Sequence, residues 1–306
     1  MTESSHNWSA YWKTRNSTSS LEGAGVEHHD ALRQYWDDLF ASADKGTRVM
    51  DLACGAGTVA RRAHHAGLAA ITALDYAPEA LRLLKADLPS IDVVEGSLTA
   101  PVPGAPFDLV VSQFGVEYAG TDGFESAAKM VADGGTLALL CHLKDGGIDR
   151  EVAGDVAFAT AIQESRFTDA ARAFVEKEHR AQNIDRSTQH FKTMEDAARS
   201  LASLAAARPG SIAEHLLRGA QQLIDRRHNY DLKDITGWLD GMDGEIAAYR
   251  ARMTAMNEAA LSEADVANTA RLLETAGLTN ITAVPFPQDD TDTEHFAWSI
   301  RASKPR

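Results

Sequence analysis

The spacing of apolar residues changes along the chain and divides it into segments of different structure. Leu32, Trp36 and Phe40 recur at helical spacing, which predicts an amphipathic helix over residues 27–42. Between residues 45 and 142, short β-rich runs alternate with helical patterns. Such alternation is typical of βαβ units, whose parallel strands are covered by helices on both faces.

The alternation stops beyond residue 142, where the sequence becomes rich in alanine and predicts several packed helices. A hydroxyl residue followed three positions later by an acid is typical of a helix start, because both side chains can satisfy free N–H groups. Such starts are predicted at Thr193, Ser211 and Ser262. The runs ITAVPF and FAWSIRA then predict a terminal antiparallel pair that returns to the sheet.

These patterns predict an α/β fold, with a doubly wound, mostly parallel sheet, an antiparallel last strand and a helical insertion after strand five. We assign residues 45–143 and 263–306 to the sheet domain, and residues 144–262 to the insertion. The insertion either caps a substrate pocket or forms a dimerisation surface, so a homodimer is one expected assembly. Residues 1–44 form a predicted N-terminal helical lid segment.

The composition limits the partners of the protein. Its 30 basic and 44 acidic residues give a net charge of -14, which repels phosphate backbones and anionic lipid surfaces. No apolar run approaches the roughly 18 residues that cross a bilayer, and the first residues lack the pattern of a signal peptide. We therefore expect a soluble cytoplasmic protein that binds neither nucleic acid nor membrane. The two cysteines, Cys54 and Cys141, lack metal-type spacing, and we predict no metal site.

The stretch VMDLACGAGTVA, residues 49–60, places an acid and two glycines at the mouth of the first predicted strand. In doubly wound sheets, this strand-to-helix turn is the usual ligand site. Gly55 and Gly57 allow positive φ and a close approach of ligand to backbone. Together with Ala60 they also satisfy the dinucleotide pattern G-x-G-x-x-G/A. Asp51 argues against a dinucleotide, because a carboxylate there would repel a pyrophosphate but would attract a cationic amino group.

The segment DLACGAG, residues 51–57, resembles the first motif of the class I S-adenosylmethionine (SAM)-dependent methyltransferases, D/E-x-G/A-C-G-x-G. Ala53 stands where many members of that family carry glycine. The resemblance covers the sheet domain, about half of the chain, and implies a seven-stranded sheet with SAM as the methyl donor. It also implies that Asp51 assists the methionine amino end and that the loop through Cys54 passes under the ligand.

The resemblance extends to the ends of later strands. Asp75, at the end of strand two, corresponds to the acid that accepts both ribose hydroxyls, and Tyr76 to the residue along the adenine face. Where the family commonly has Gly-Asp near the adenine amino group, this chain departs from it, so the Ser97 hydroxyl or the Leu98 backbone would serve. The residues predicted to bind SAM are Tyr11, Trp12, Asp51, Ala53, Cys54, Gly55, Gly57, Asp75, Tyr76, Ser97, Leu98, Gln113 and Phe114.

The fourth strand of the family delivers residues to the methyl group, and FDLVVSQFGVEY matches it. Gln113 and Phe114 would border the methionine portion, with Glu117 and Tyr118 farther out toward the substrate. Methyl transfer from a sulfonium is an in-line displacement, for which alignment alone supplies much of the rate. A hydroxyl or a protonated amine would also need a base within hydrogen-bond reach. His142 is the first candidate for that base, and Glu117 with Tyr118 is the second.

The aromatic residues of the amino-terminal stretch WSAYW have two interpretations. Trp8, Tyr11 and Trp12 fall on one helical face, which is typical of core packing. In the family that the chain resembles, an amino-terminal segment often closes over SAM, and ring faces attract a sulfonium. These residues therefore form either part of a core or a lid over the ligand.

Three functions remain open at this point. The first is SAM-dependent methyl transfer to an oxygen or nitrogen atom of a small metabolite, and the missing DPPY or NPPY signature argues against DNA adenine or protein glutamine as acceptor. The second keeps SAM without methyl transfer, in cyclisation, in decarboxylation or in a binding subunit. The third, based on the glycine pattern alone, is an NAD(P)-dependent oxidoreductase.

Overall fold

In the part of the chain that the computed structural model describes, seven strands form one sheet. In chain order they are β1 Val49–Leu52, β2 Ile71–Asp75, β3 Asp92–Glu95, β4 Phe107–Gln113, β5 Val131–His142, β6 Thr279–Phe286 and β7 Ala297–Ser303. Their order across the sheet is β3-β2-β1-β4-β5-β7-β6. Strands β1 to β5 are parallel, and β7 is antiparallel to both β5 and β6. The predicted fold class, including the antiparallel last strand, is confirmed.

The structure describes Trp8, Tyr11, Trp12, residues 26–287 and residues 294–306. Much of the predicted N-terminal lid and most of the turn before β7 therefore lie outside the described residues. Within these residues the chain forms two compact units. One runs to Val152 and resumes at Ala255, and the other comprises Ala153–Thr254.

Helices connect the strands and make up the inserted segment. In chain order they are α1 Val26–Ala41, α2 Thr58–His65, α3 Pro78–Asp87, α4 Gly120–Lys129, α5 Gly147–Glu164, α6 Phe167–Glu178, α7 Gln189–Ala207, α8 Ile212–Asp225, α9 Leu232–Ala259 and α10 Glu263–Thr275. Short 3₁₀ turns span Val116–Ala119 and Arg227–Asn229. Among the helices described, none is long and apolar enough to pass through a bilayer.

Apolar layers cover both faces of the sheet. In β7, Ser299 and Arg301 contact the Tyr35 hydroxyl of α1, each at 3.2 Å. The alternate residues Trp298 and Ile300 instead belong to a core shared with α4 and α10. Because successive side chains of a strand point to opposite faces, α1 lies on one face and the α4/α10 pair on the other. This is the arrangement of a doubly wound sheet.

The predicted amphipathic helix is α1, whose residues Leu32, Trp36 and Phe40 are all buried. The stacked rings of Trp36 and Phe40 lie 5.8 Å apart. Large apolar side chains at helical spacing thus fix α1 against the sheet.

Two of the three predicted helix starts are correct. Ser262 forms a full capping box with Asp265 at the start of α10. Ser211 precedes α8, although its hydroxyl makes no capping bond. The start predicted at Thr193 is wrong, because α7 begins at Gln189 and the Thr193 hydroxyl donates to the Gln189 carbonyl within the helix.

The unit Ala153–Thr254 is helical and has its own apolar core. Phe174, Leu201 and Leu239 are among its buried residues. Arg172 ties α6 to α9 through Asp240 at 2.5 Å and Asp243 at 3.2 Å. The predicted role of this insertion, as a substrate cap or a dimerisation surface, stays a prediction.

The centre of the sheet positions the ligand edge. From β1 the chain proceeds outward to β2 and β3, and then crosses to the other side of β1 to form β4 and β5. Leu52, the last residue of β1, is opposite Leu74 of β2 and Ser112 of β4. Connections that diverge from a central strand leave a crevice at the carboxyl ends of the parallel strands.

Candidate active site

A cavity of about 560 Å³ opens at this edge of the sheet. Its volume falls within the range of sites that bind small molecules. Most residues predicted as functional line it: Trp12, Asp51, Ala53, Cys54, Gly55, Asp75, Tyr76, Ser97, Leu98, Gln113, Phe114, Glu117 and Tyr118. Tyr11, Gly57 and His142 are not among its lining residues.

The two glycines of the loop between β1 and α2, Gly55 and Gly57, have different structural roles. Gly57 has φ +87°, and a Cβ added to it would lie 2.3 Å from Cδ1 of Leu84. This glycine therefore allows α2 to start close against α3. Gly55 has φ +52°, and its added Cβ would lie 3.1 Å from the Trp12 ring. Trp12 thus lies directly over the loop, and its side chain is buried.

Asp51 is a buried acid with an incomplete set of hydrogen bonds. Its Oδ2 accepts the Ala60 amide of α2 at 3.0 Å. Its Oδ1 is buried and has no hydrogen-bond partner within the described part of the chain. Burial raises the pKa of Asp51 from 3.8 to about 8, an effect that the Ala60 amide opposes and the Asp75 charge reinforces. The unliganded cavity thus contains an acid that a bound cation would ionise.

Asp75 is fixed by the backbone around it. Its Oδ2 accepts the Gly55 amide and its Oδ1 accepts the Ala77 amide, both at 2.8 Å. Burial raises the pKa of Asp75, and the amides of Ala77, Gly55 and Tyr76 lower it. Each carboxylate oxygen has a further lone pair, so Asp75 can still accept hydrogen bonds from a ligand.

Cys54, between these two acids in the loop, keeps its proton. Burial raises the pKa of its thiol well above the usual value, and the charges of Asp75 and Asp51 raise it further. Its Sγ donates to the Gly55 carbonyl at 3.3 Å. We infer a packing role for Cys54 rather than a nucleophilic one.

Two residues of the cavity wall have left-handed backbones although they are not glycine. Ala53 has φ +51° and Phe114 has φ +55°. Such conformations cost about 1–3 kcal/mol each and cluster at functional sites. The positive φ of Ala53 explains why the methyltransferases that the chain resembles often have glycine at this position. A Cβ added to Gly115 would lie 2.4 Å from that of Ala53, so the turns after β1 and β4 touch.

Helix α1 orients one lining side chain from behind. The indole Nε1 of Trp36 donates to Oε1 of Gln113 at 2.6 Å. A side-chain amide with its oxygen engaged presents its N–H₂ group to other partners. The buried Trp36 therefore fixes Gln113 at the end of β4.

Glu117 and His142 form a buried pair where β4 and β5 end. Oε1 of Glu117 accepts the His142 backbone amide at 3.0 Å and lies 2.8 Å from Nδ1 of the ring. Oε2 of Glu117 and Nε2 of His142 are buried and have no partner among the residues that the structure describes. The His142 ring packs against that of Phe114, with the ring centroids 4.4 Å apart and the planes tilted by 30°. His142 thus lies behind the wall that Glu117 helps to form.

Tyr118 is the remaining predicted catalytic residue. Burial raises the pKa of its phenol well above 10, and the charges of Glu117 and Tyr76 add to this. The phenol therefore stays protonated near neutral pH and can donate a hydrogen bond but cannot act as a base. Its ring lies 6.4 Å from that of Trp8, nearly perpendicular to it.

Several lining residues were not predicted from the sequence. They are Ala56, Thr58, Val59, Gly115, Ala119, Gly120, Ala255, Glu258 and Ala259. Trp8, which the aromatic stripe WSAYW predicted as part of either a core or a lid, lines the cavity as well. Glu258 had none, because it lies at the end of α9, far in sequence from every motif. In the described ranges, no group of three or more histidine, cysteine or acidic side chains could hold a metal ion.

A family model described as a methyltransferase domain matches residues 49–135. This segment contains the glycine loop, the three buried acids of the cavity, Asp51, Asp75 and Glu117, and β4. Residues 49–135 therefore match a methyltransferase domain, and the resemblance seen in the sequence is confirmed. A search of the curated proteins gives no match.

Solved structures of methyltransferases resemble parts of the chain. An S-adenosylmethionine dependent methyltransferase from Mesorhizobium loti is 26% identical with a TM-score of 0.31, over 35% of this chain and 53% of that one. The amino pentose methyltransferase CalS10 from Micromonospora echinaspora is 24% identical with a TM-score of 0.33, over 38% and 51%. The sugar N-methyltransferase KedS8 from Streptoalloteichus is 18% identical with a TM-score of 0.33, over 37% and 49%. The chain spans about half the length of each.

Proposed function

We propose that this protein transfers a methyl group from SAM to an oxygen or nitrogen atom of a small molecule. The observation that carries the proposal is the Asp51 carboxyl, buried in the cavity wall with Oδ1 unpartnered in the described residues. A buried acid of this kind is costly unless a cation binds beside it. The amino group of SAM is such a cation, and Asp51 lies within the matched methyltransferase domain.

The other residues predicted to bind SAM also suit a SAM molecule whose amino group lies beside Asp51. Asp75, anchored to the glycine loop, has lone pairs left for the two ribose hydroxyls. Tyr76 and Leu98 line the cavity where the adenine would lie. Gln113, oriented by Trp36, would contact the methionine portion. A pyrophosphate in this place would instead face two carboxyl groups, which argues against a dinucleotide.

When bound, SAM supplies a methyl group on a sulfonium, which is electrophilic without further activation. The protein then has to align the acceptor with that methyl group and exclude water, and alignment can supply about 7–11 kcal/mol of the barrier in favourable cases. Trp8 and Trp12 line the cavity and contribute to the exclusion of water. Trp12 covers the glycine loop in particular.

His142 acts through Glu117 rather than on the acceptor. Its backbone and ring hold one oxygen of the Glu117 carboxylate. His142 itself is not among the lining residues. We assign it as a positioning residue, with Glu117 and Tyr118 at the acceptor end of the cavity.

The proposal is tested in two measurements on the full chain. Calorimetry should show binding of SAM and of S-adenosylhomocysteine, and no binding of NAD(H) or NADP(H). With methyl-labelled SAM, label should then appear in a low-molecular-weight product. Bound SAM without formation of S-adenosylhomocysteine would favour a non-methylating enzyme or subunit, and label confined to protein or nucleic acid would refute the substrate class.

A further inference from the structure

The acceptor end of the cavity is acidic and aromatic. Beyond the residues assigned to SAM, its wall includes Trp8, Glu117, Tyr118 and Glu258. Among the lining residues that the structure describes, there is no lysine, arginine or histidine. A cavity lined by charges of one sign concentrates ligands of the opposite sign. The lining therefore favours a cationic acceptor over a neutral or anionic one.

Glu117 gives this end of the cavity an acid whose bonding is incomplete. Only 4% of the residue is exposed, the buried Cys141 thiol lies beside its carboxyl, and Oε2 makes no hydrogen bond within the described ranges. Buried polar atoms are nearly always satisfied, so an unsatisfied carboxylate oxygen beside a cavity points to a ligand. Glu258 approaches the same cavity from the end of α9 and is exposed. Its neighbours in the wall, Ala255 and Ala259, are small and leave room for a ligand.

The aromatic side chains form a corner that suits a cation. The rings of Trp8 and Tyr118 are 6.4 Å apart with an angle of 86° between their planes. Ring faces of tryptophan and tyrosine attract organic cations. The two rings pack edge to face and so hold each other in place, and a cation can lie against those parts of them that line the cavity.

The bases in the lining suit an amine better than a hydroxyl. Tyr118 is held protonated by burial, and His142 is not among the lining residues, so the carboxylates of Glu117 and Glu258 are the proton acceptors at this end of the described lining. A hydroxyl keeps its proton until attack and needs a stronger base than a carboxylate beside the reacting oxygen. An ammonium ion is far more acidic than a hydroxyl, and it can pass its proton through a carboxylate to water before the methyl group moves.

We infer that the methyl acceptor is an amine, bound as an ammonium ion between the Trp8–Tyr118 corner and the carboxylates of Glu117 and Glu258. This inference rests on the proposed methyl transfer and specifies nitrogen as the acceptor atom. The ammonium first loses one N–H proton, by way of the exposed Glu258 carboxylate, to bulk water. Its lone pair then forms the N–C bond while the C–S bond breaks and its electron pair goes to sulfur. The products are an N-methylammonium ion, S-adenosylhomocysteine and one proton.

The acceptor class is tested with methyl-labelled SAM and a deproteinised small-molecule extract of the source cells. Half of the extract is treated with acetic anhydride and then mild alkali, which leaves amines acetylated and frees hydroxyls. We expect a labelled product that a cation exchanger retains at pH 7, with at least tenfold less label from the acetylated half. Equal labelling of both halves, or a product that is not retained, would overturn the amine assignment. No label from either half would instead refute the proposed methyl transfer.

Variants of the two glutamates test the site itself, with the amine product of the extract as readout. Glu258→Gln removes an exposed charge and should raise KM for the acceptor about three- to fivefold. Glu117→Gln removes a buried one and should lower kcat/KM at least tenfold. Both variants should bind SAM with a Kd within twofold of that of the parent protein. This binding also shows that the variants fold. Glu125→Gln, exposed on α4 and paired with Lys129, is the matched control and should change neither value. Unchanged acceptor kinetics in both cavity variants would overturn the site.

Discussion

The substitution Asp51→Asn tests whether the buried carboxyl of Asp51 pairs with the amino group of SAM. Burial raises the pKa of Asp51 to about 8, so at pH 7 roughly nine-tenths of the unliganded molecules carry this acid protonated. An ammonium placed at the unpartnered Oδ1 favours the ionised form. Binding of SAM at pH 7 should therefore release close to one proton from the protein. Asparagine has the same shape and no proton to release.

The size of the effect follows from linkage. In the pH range where Asp51 is protonated in the free protein and ionised in the complex, the affinity for SAM rises about tenfold, or 1.4 kcal/mol, for each pH unit. We expect this slope between about pH 6 and 7. Above about pH 8 the free acid is already ionised, and the slope disappears. The Asp51→Asn variant should bind SAM more weakly at pH 7 and with an affinity independent of pH in the same interval.

Calorimetry measures the released protons directly. SAM is titrated at pH 7 into protein in phosphate and in Tris, whose ionisation enthalpies differ, and the difference in binding heat gives the number of protons. Asp122→Asn, exposed on α4, is the control and should release as many protons as the parent protein. No proton release by the parent protein, or an equal release by Asp51→Asn, would refute the pairing of Asp51 with the amino group.

The raised pKa of Asp51 also predicts how the free energy of unfolding depends on pH. Its folded pKa is raised above the unfolded value of 3.8, so the folded state holds a proton that the unfolded state releases. The free energy of unfolding of the unliganded protein should therefore fall as pH rises from about 4 to about 8, by at most about 1.4 kcal/mol per unit from this group. Asp51→Asn should remove that fall. Urea unfolding at pH 6 and 8, without SAM, compares the two proteins, and identical pH dependence would contradict the assignment.

Three further changes test other parts of the site. Asp75→Ala should weaken SAM binding by about 1–3 kcal/mol in calorimetry, because hydrogen bonds to a charged group are lost. An unchanged affinity would refute the contact between Asp75 and the ribose. Gly57→Ala should destabilise the fold by about 2–4 kcal/mol more than Gly67→Ala in urea unfolding. Both glycines have nearly the same φ, +87° and +88°, but only the first would clash with Leu84; equal losses would refute the packing role. His142→Asn keeps a donor for Glu117 and should retain at least ten times the kcat of His142→Leu at equal SAM affinity, whereas equal kcat values would show that His142 is only structural.

The residues around the glycine loop were the easiest to place from the sequence. Asp51, Gly55 and Asp75 line the cavity as expected, because a parallel sheet brings the ends of its strands to one edge, and a glycine loop with flanking acids has few other uses. Gly57 was predicted as a ligand contact, but it is not among the lining residues, and its missing Cβ leaves room for Leu84. That close approach of two helices depends on tertiary packing, which no local pattern encodes.

The residues at the proposed acceptor end were predicted less completely, for two physical reasons. Glu258 lines the cavity from the last turn of α9, and a solvated acid near the end of a helix carries no pattern of its own. His142 was predicted from its place at the end of β5, but a side chain there can point into the cavity or behind its wall. The contact with Glu117 decides this, and it involves residues 25 positions apart.

The left-handed corners at Ala53 and Phe114 have a consequence for engineering. Together they cost about 2–6 kcal/mol, which is a large share of the 5–15 kcal/mol by which a typical domain is stable. A heat-resistant form of this protein should therefore be sought first at Ala53, where glycine adopts the same φ without strain and leaves every polar group of the cavity in place. Phe114 offers no such route, because it lines the cavity and glycine would remove its side chain from the wall.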